Sequence, residues 1–490
     1  MKWKCLIFSL FYGTTLVAQS NDSFREQFEQ FKKQRATEYN DFRQKANKEY
    51  ADFMRKAWVW YQAEPGFPLP LCPDPPLPAP APPKQKEILD IPERLLPFES
   101  VIVAPSIIEQ PKPVALIEEI AEKTELFHFK AYGTDMKVRL NNELRFSLKN
   151  INEDEVANRW MRLSEPDYNN LLHDCLALRS QYHLCDWAYL NVLERLADDF
   201  LGKQTPEAVL LQAFLFNQSG YKVRLGRSET NRLYLMVASR HQIYNMSYFN
   251  LKGDSFYPLH YKEDGLYIYD NPYPKEQQMS LEVRREQLFA DTKTENRTLC
   301  SKGEYGLKTT VSFNKNLIDF YNTYPQSSIN NDGTTKWVFY ANTSLSGSVR
   351  TKLYPVLKAA INGKSERDAA NILINFVQTA LVYGYDDEIW GGDRPFFADE
   401  TLYYPYSDCE DRAILYSRLV RDLLHLETVL LYYPGHLAMA VCFRENVGGK
   451  SFLVHGRKFT YCEPTCTGYA PVGWCPADLE SIQPKIVLLE

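Results

Sequence analysis

The chain has 490 residues, 44% of them hydrophobic and 14% aromatic, with a formal net charge of −6 at pH 7. That length predicts about two to four domains, and the apolar content excludes a generally disordered chain. The slight acidity offers no basic surface for a nucleic acid, so no nucleic-acid partner is expected.

At the start, Lys2 and Lys4 precede an apolar run from Cys5 to Val17, and Ala18-Gln19-Ser20 supplies an A-x-S cleavage site. This is the pattern of a secretory signal over residues 1–20. The run is short for an uncleaved anchor, and no later stretch could span a bilayer. An exported protein, periplasmic or extracellular, is expected. Export permits disulfides. Nine cysteines follow Cys5 (Cys72, Cys175, Cys185, Cys300, Cys409, Cys442, Cys462, Cys466 and Cys475). Their odd number leaves at least one free thiol, and Cys175 with Cys185 is a candidate local pair. Cys462, Cys466 and Cys475 lack a C-x-x-C pair, so no metal and no cofactor are expected.

Residues 21–63 are expected to form one long helix, Asn21 to Gln62. Phe31, Phe42 and Phe53 recur every eleven residues, as do Phe28, Tyr39 and Tyr50, and Arg35, Ala46 and Ala57. Eleven residues is close to three full turns, so the aromatics form a nearly straight stripe. The stripe packs on the protein's own domain or serves a partner. Residues 64–114 form a proline-rich linker, densest from Pro65 to Pro83. Residues 115–300 are predicted to be an α+β domain, with helices at Ala188–Phe200 and Pro206–Asn217 and strands at Gly220–Leu225 and Leu233–Val237. Residues 301–350 read as a β connector, with strands such as Lys308–Phe313 and Trp337–Tyr340.

The chemistry-bearing residues lie in 351–490. Glu366–Tyr383 is predicted helical, and Gly384–Tyr406 is a long irregular segment, of a length that is usually functional or mobile. A second helix carries Ala413, Leu419, Val420, Leu423 and Leu424 at helical spacing. Ser407 followed by Glu410 is a capping-box signature, which puts Cys409 in the first turn. There, unpaired backbone N–H groups favour a negative charge, so Cys409 is a candidate nucleophile. A helix terminus contributes only about 0.3–1 kcal/mol, less than about one pKa unit. Asp408, Glu410 and Asp411 oppose ionisation, so an active Cys409 needs a base. Among the late histidines, His425 ends the helix, His455 lies in a predicted strand, and His436 stands just beyond a Pro434-Gly435 turn. Strands are expected at Thr428–Tyr433, Leu437–Phe443, Phe452–His455 and Lys458–Cys462, the last ending at Glu463-Pro464-Thr465. A helix-borne thiol, a turn-borne imidazole and a strand-end carboxylate are the parts of a thiol hydrolase. An oxyanion hole would combine the Cys409 backbone N–H with a second donor, for which Tyr403, Tyr404, Tyr406 and Gln378 are candidates.

Cys409-Glu410-Asp411-Arg412-Ala413, Gly435-His436 and Tyr461-Cys462-Glu463-Pro464-Thr465 resemble, in order and spacing, the motifs of the transglutaminase-like superfamily. The resemblance covers about Tyr354 to Glu490. It implies a papain-like fold, with Cys409 as nucleophile, His436 as base and Glu463 as orienting acid. Glu463 replaces the family's usual aspartate, and Ala438 replaces an aromatic common two residues after the histidine. The position of Asp411 implies a carboxylate that holds a helix end or loop. Pro206–Leu211, Gly220–Leu225 and Leu233–Val237 repeat the order helix, strand, strand. They read either as a degenerate copy, with Gln204 opposite Cys409, or as chance recurrence. The expected function is an exported cysteine peptidase or amidohydrolase of bacterial type. Its acyl-enzyme would be released by water, or by an amine in the transamidating variant, and its substrate would be a protein or peptide. The alternative is an inactive relative that works as a scaffold.

Overall fold

The computed structural model describes residues 19–70, 78–82, 94–96, 101–102, 109–114, 125–303, 305–329 and 331–489. Residues 1–18 of the expected signal, Cys5, Cys72 and the centre of the proline-rich stretch lie outside them. The protein is α+β, 37% helix and 24% strand, built around a nearly closed six-strand barrel and a curled five-strand half-barrel. No helix among the described residues is long and apolar enough to cross a membrane.

The first helix runs Gln19–Met54. Arg43, Ala46, Asn47, Tyr50, Ala51 and Met54 are buried at 3.6-residue spacing. That face packs on the helix Glu153–Leu163. Asn47 accepts from Trp160 Nε1 at 2.9 Å and donates to Gln218 Oε1 at 3.0 Å. Phe31, Phe42 and Phe53 lie on the solvent side, 54%, 41% and 42% exposed. The buried line is therefore that of Ala46 and Tyr50. The helix also ends earlier than expected. Val59–Gln62 is a strand paired with Gly265–Ile268, because its β-branched and aromatic side chains suit a sheet edge, where Trp60 meets Tyr267 at 5.0 Å.

The first sheet runs, in spatial order, Val59–Gln62, Gly265–Ile268, Val223–Arg227, Leu233–Ala238, Asp254–Pro258 and Phe249–Leu251. Helices Asp186–Leu201 and Pro206–Gln218 lie close to their expected places. In the expected β connector Lys308–Val311 pairs with Arg297–Cys300 and Ser327–Ser328 pairs with Gln242–Ile243. Trp337–Tyr340 belongs to the helix Lys336–Asn342. All four of its side chains are buried, and an apolar run buried on every side carries no periodicity to tell helix from strand. Cys175 and Cys185 are free thiols, both buried, and not a disulfide.

The second sheet runs Arg94–Leu96, Lys450–Val454, Arg457–Cys462, His436–Cys442, Glu427–Tyr433, Lys485–Leu488 and Val101–Ile102. Helix Cys409–Leu424 packs on it and on helix Glu366–Ala380. Val382–Tyr383 leaves that second helix as a strand, paired in parallel with Tyr406–Ser407. The segment 384–406 carries short helices at Asp386–Trp390 and Ala398–Tyr403. His455 lies in the hairpin turn, not in a strand. It and Gly456 have φ of 50° and 76°, which suits a tight hairpin connection.

Arg412 ties these elements together. It is 2% exposed and donates to Ser407 Oγ, Gln378 O and Leu381 O at 3.2 to 3.4 Å. Arg412→Ala strands those acceptors and opens a cavity, with an expected cost of about 3 kcal/mol. It should lower the thermal midpoint, measured by calorimetry.

Candidate active site

The helix that carries Cys409 begins one residue later than its sequence suggests. Asp408 is the N-cap and Cys409 the first helical residue. The Asp408 N–H donates to Asp411 Oδ2 at 3.3 Å. Ser407 is committed elsewhere, to the strand pair with Tyr383 and to Arg412, so the box forms between Asp408 and Asp411. Asp411 Oδ1 also accepts from the Phe396 N–H at 2.8 Å. This carboxylate therefore holds both the helix start and the preceding loop.

The turn before His436 sets its place. Gly435 has φ of 77°, a value few side chains tolerate, and Tyr433 pairs directly with His436. On the neighbouring strand Met439 faces Cys462. Continuing that register sets Glu463 opposite Ala438, on the pleat side that His436 shares. His436 Nε2 and Glu463 Oε2 are 2.9 Å apart. Tyr461 Oη donates to the same oxygen at 2.5 Å, and the Thr465 N–H donates to Oε1 at 2.9 Å. Glu463 is completely buried and His436 is 8% exposed. Burial is the largest single influence on His436 and works to lower its basicity, but the charge and hydrogen bond of Glu463, with the charges of Glu410 and Asp478, together outweigh it and the net shift is upward.

The Cys409 thiol is a free, buried group, 3% exposed. It donates to Glu410 Oε2 at 3.2 Å, and the nearby backbone N–H of Leu437, the residue after His436, works to lower its pKa. The sulfur thus sits at the start of the histidine's strand, yet it makes no hydrogen bond to the ring. Burial pushes its pKa well up, and the charges of Glu410 and Asp408 push it further. The structure joins His436 to Glu463 and leaves the third link unmade.

The candidate oxyanion donors other than the Cys409 backbone are engaged elsewhere. Gln378 Nε2 donates to Glu463 O at 2.6 Å and Ala470 O at 3.0 Å, so it clamps the loop after the acid. Tyr404 Oη donates to Asn322 at 2.9 Å, Tyr403 packs on Phe313, and Tyr406 is exposed. The three tyrosines read as donors because they lie near Cys409 in sequence. Tyr383 was missed. Its hydroxyl is buried without a hydrogen-bond partner, and after burial the nearby Cys409 does most to raise its pKa.

A second missed feature surrounds the helix start. Ligand-capable atoms of Asp386, Asp408 and Asp411 lie within 4.8 Å of one another, as do those of Asp386, Asp393 and Glu410, and of Asp408, Cys409 and Glu410. Asp386 and Asp393 come from the irregular segment. Its density of acids, Asp386-Asp387-Glu388 and Asp393, was the available signal. Lys336, buried, pairs with Asp393.

Nearby, burial raises Asp399 to about 6 and Glu400 to about 7, the latter despite its bridge to Arg394 at 2.5 Å. Both bind a proton more tightly folded than unfolded. Their stabilisation is complete below the unfolded value of about 4 and is lost as pH rises through about 6 and about 7. The thermal midpoint of wild type should therefore decrease as pH rises from 5 to 8, and Glu400→Gln should flatten that slope.

No protein-family model, curated protein or solved structure matches this chain.

Proposed function

We propose that the chain is a cysteine-dependent amide hydrolase, with a papain-like, transglutaminase-like arrangement over residues 351–490. Cys409 is the nucleophile, His436 the base and Glu463 the acid that orients the ring. The observation that carries this reading is the buried 2.9 Å hydrogen bond between His436 and Glu463. With Nε2–H given to the carboxylate, Nδ1 keeps the lone pair a base needs. The contact between the Leu437 N–H and the sulfur supports the same reading, since it sets the thiol one residue from the imidazole.

The cycle starts when the Cys409 side chain turns from Glu410 towards Nδ1. His436 takes the thiol proton, and the thiolate attacks the carbonyl carbon of a peptide amide. The Cys409 N–H, unpaired at the helix start, and the Tyr383 hydroxyl are positioned to stabilise the oxyanion. His436 then protonates the departing amine. Water releases the acyl group in hydrolysis, and a second amine releases it in transamidation. Within this reading residues 206–238 are a degenerate copy. A helix and two antiparallel strands recur there, with Gln204 in the place of the thiol and no histidine opening Leu233–Ala238.

A second reading, an inactive scaffold working through its first helix, is favoured by the thiol's closure onto Glu410 and by the exposed Phe31, Phe42 and Phe53. Incubation with a mixed peptide library, read by mass spectrometry, separates the two. Hydrolase activity predicts new termini that vanish with Cys409→Ala. Cleavage that persists in Cys409→Ala, or no cleavage by wild type, contradicts the proposal.

A further inference from the structure

A cavity of about 440 Å³ lies where helix Asn169–Gln181 ends and helix Asp186–Leu201 begins. Four cations line it, Lys112, Arg179, Arg284 and Arg285, with three acids, Glu109, Asp186 and Glu282. The acids are already spent. Glu109 holds Lys112 at 2.6 Å, and Glu282 holds Arg284. Asp186 is buried. Its Oδ1 accepts from the Tyr221 hydroxyl at 2.6 Å and from Gln110 Nε2 at 3.0 Å, and its Oδ2 accepts from the Ser280 N–H at 2.8 Å. Among the described residues, Arg179 and Arg285 are left with no carboxylate in ion-pair range. In a chain with 62 acidic and 56 basic side chains, two such arginines on one concave surface stand out.

The cavity is also braced. Arg179 is half-buried, and its guanidinium lies 5.2 Å and 5.8 Å from the rings of Tyr189 and Tyr221. It donates to the Tyr221 hydroxyl at 3.2 Å. Both rings are completely buried, so they hold the guanidinium in place, and a side chain already fixed loses little freedom on binding. One wall is the end of the proline-rich linker. Gln110 donates to Leu184 O at 2.9 Å as well as to Asp186. Lys112 runs so close to Gly220 that a Cβ there would lie 2.2 Å from its carbonyl oxygen.

We propose that this cavity binds a phosphate group, free or carried on a small organic body, through Arg179 and Arg285. Two unit charges without acid partners call for a dianion. A phosphate monoester carries close to two charges on one centre at neutral pH, and its oxygens can take the paired N–H groups of two guanidiniums at once. A monocarboxylate brings one charge and two oxygens, and would leave one arginine unserved. The cavity leaves room beside Leu176 and Leu184 for an organic body. None of its lining comes from residues 351–490, so the site does not rest on the hydrolase reading.

The test is titration calorimetry of the full chain with inorganic phosphate, glycerol phosphate and succinate, in sodium chloride at matched ionic strength. One site per chain is expected for a phosphate probe, with a rise in thermal midpoint on its addition. Tighter binding of glycerol phosphate would mark a phosphomonoester as the ligand, and equal binding the free ion. Arg285 is exposed, so Arg285→Gln should melt as wild type does and bind about tenfold more weakly. Arg179→Lys keeps the charge but loses the fork, and should weaken binding as well. No binding of either phosphate probe, succinate bound as tightly as phosphate, or an unchanged affinity in either variant overturns the proposal. Peptide cleavage is read separately, so its failure bears on the hydrolase reading alone.

Discussion

His436→Ala is expected to cut peptide cleavage by about 10⁴-fold or more, close to the loss in Cys409→Ala, because members of such a unit fail together. The buried thiol, pushed up in pKa by burial and by Glu410 and Asp408, cannot ionise usefully without a base. Steady-state rates with a reporter peptide identified from the library check this. The folded population of each variant should be verified by circular dichroism. A His436→Ala enzyme within tenfold of wild type would remove the imidazole from the mechanism.

Glu463→Ala should damage both stability and rate. The carboxylate holds the His436 ring, the Tyr461 hydroxyl and the Thr465 N–H, all buried. Its loss leaves those donors unpartnered, at an expected cost of about 3–5 kcal/mol. Glu463→Gln separates the two effects. It keeps the volume and an acceptor for Tyr461, so the thermal midpoint should fall less than with alanine. The neutral amide no longer favours an imidazolium, and turnover should still drop by about 10³–10⁴-fold. A glutamine variant with full activity would mean that the His436–Glu463 pair serves the fold alone.

The strands around His436 and the helix after Cys409 were legible because each combines a strong local signal with tertiary demand. Pro434-Gly435 fixes a tight turn, and the strands on either side bury nearly every side chain. Glu463 was legible from its place just beyond Cys462, at the end of a strand. Other features depended on distant chain. Ser407 looks like a cap until its pairing with Tyr383 is known, and Gln378 and Tyr404 look available until Ala470 and Asn322 claim them. The length of the first helix misled in the same way, because Val59–Gln62 gains more from the edge of a sheet than from another helical turn. Tyr383, Asp386 and Asp393 carry no motif. They matter through convergence on one point, and spacing along a sequence does not encode that.

The most direct measurement is the rate of Cys409 alkylation by iodoacetamide as a function of pH, in wild type and His436→Ala, with mass-spectrometric assignment of the labelled residue. A thiol served by the imidazole predicts that at pH 7 wild type reacts at least about tenfold faster than the variant, with the gap closing as the thiol ionises unaided at high pH. Equal rates across the range would show that the ring of His436 never reaches the sulfur, and the hydrolase reading would fall.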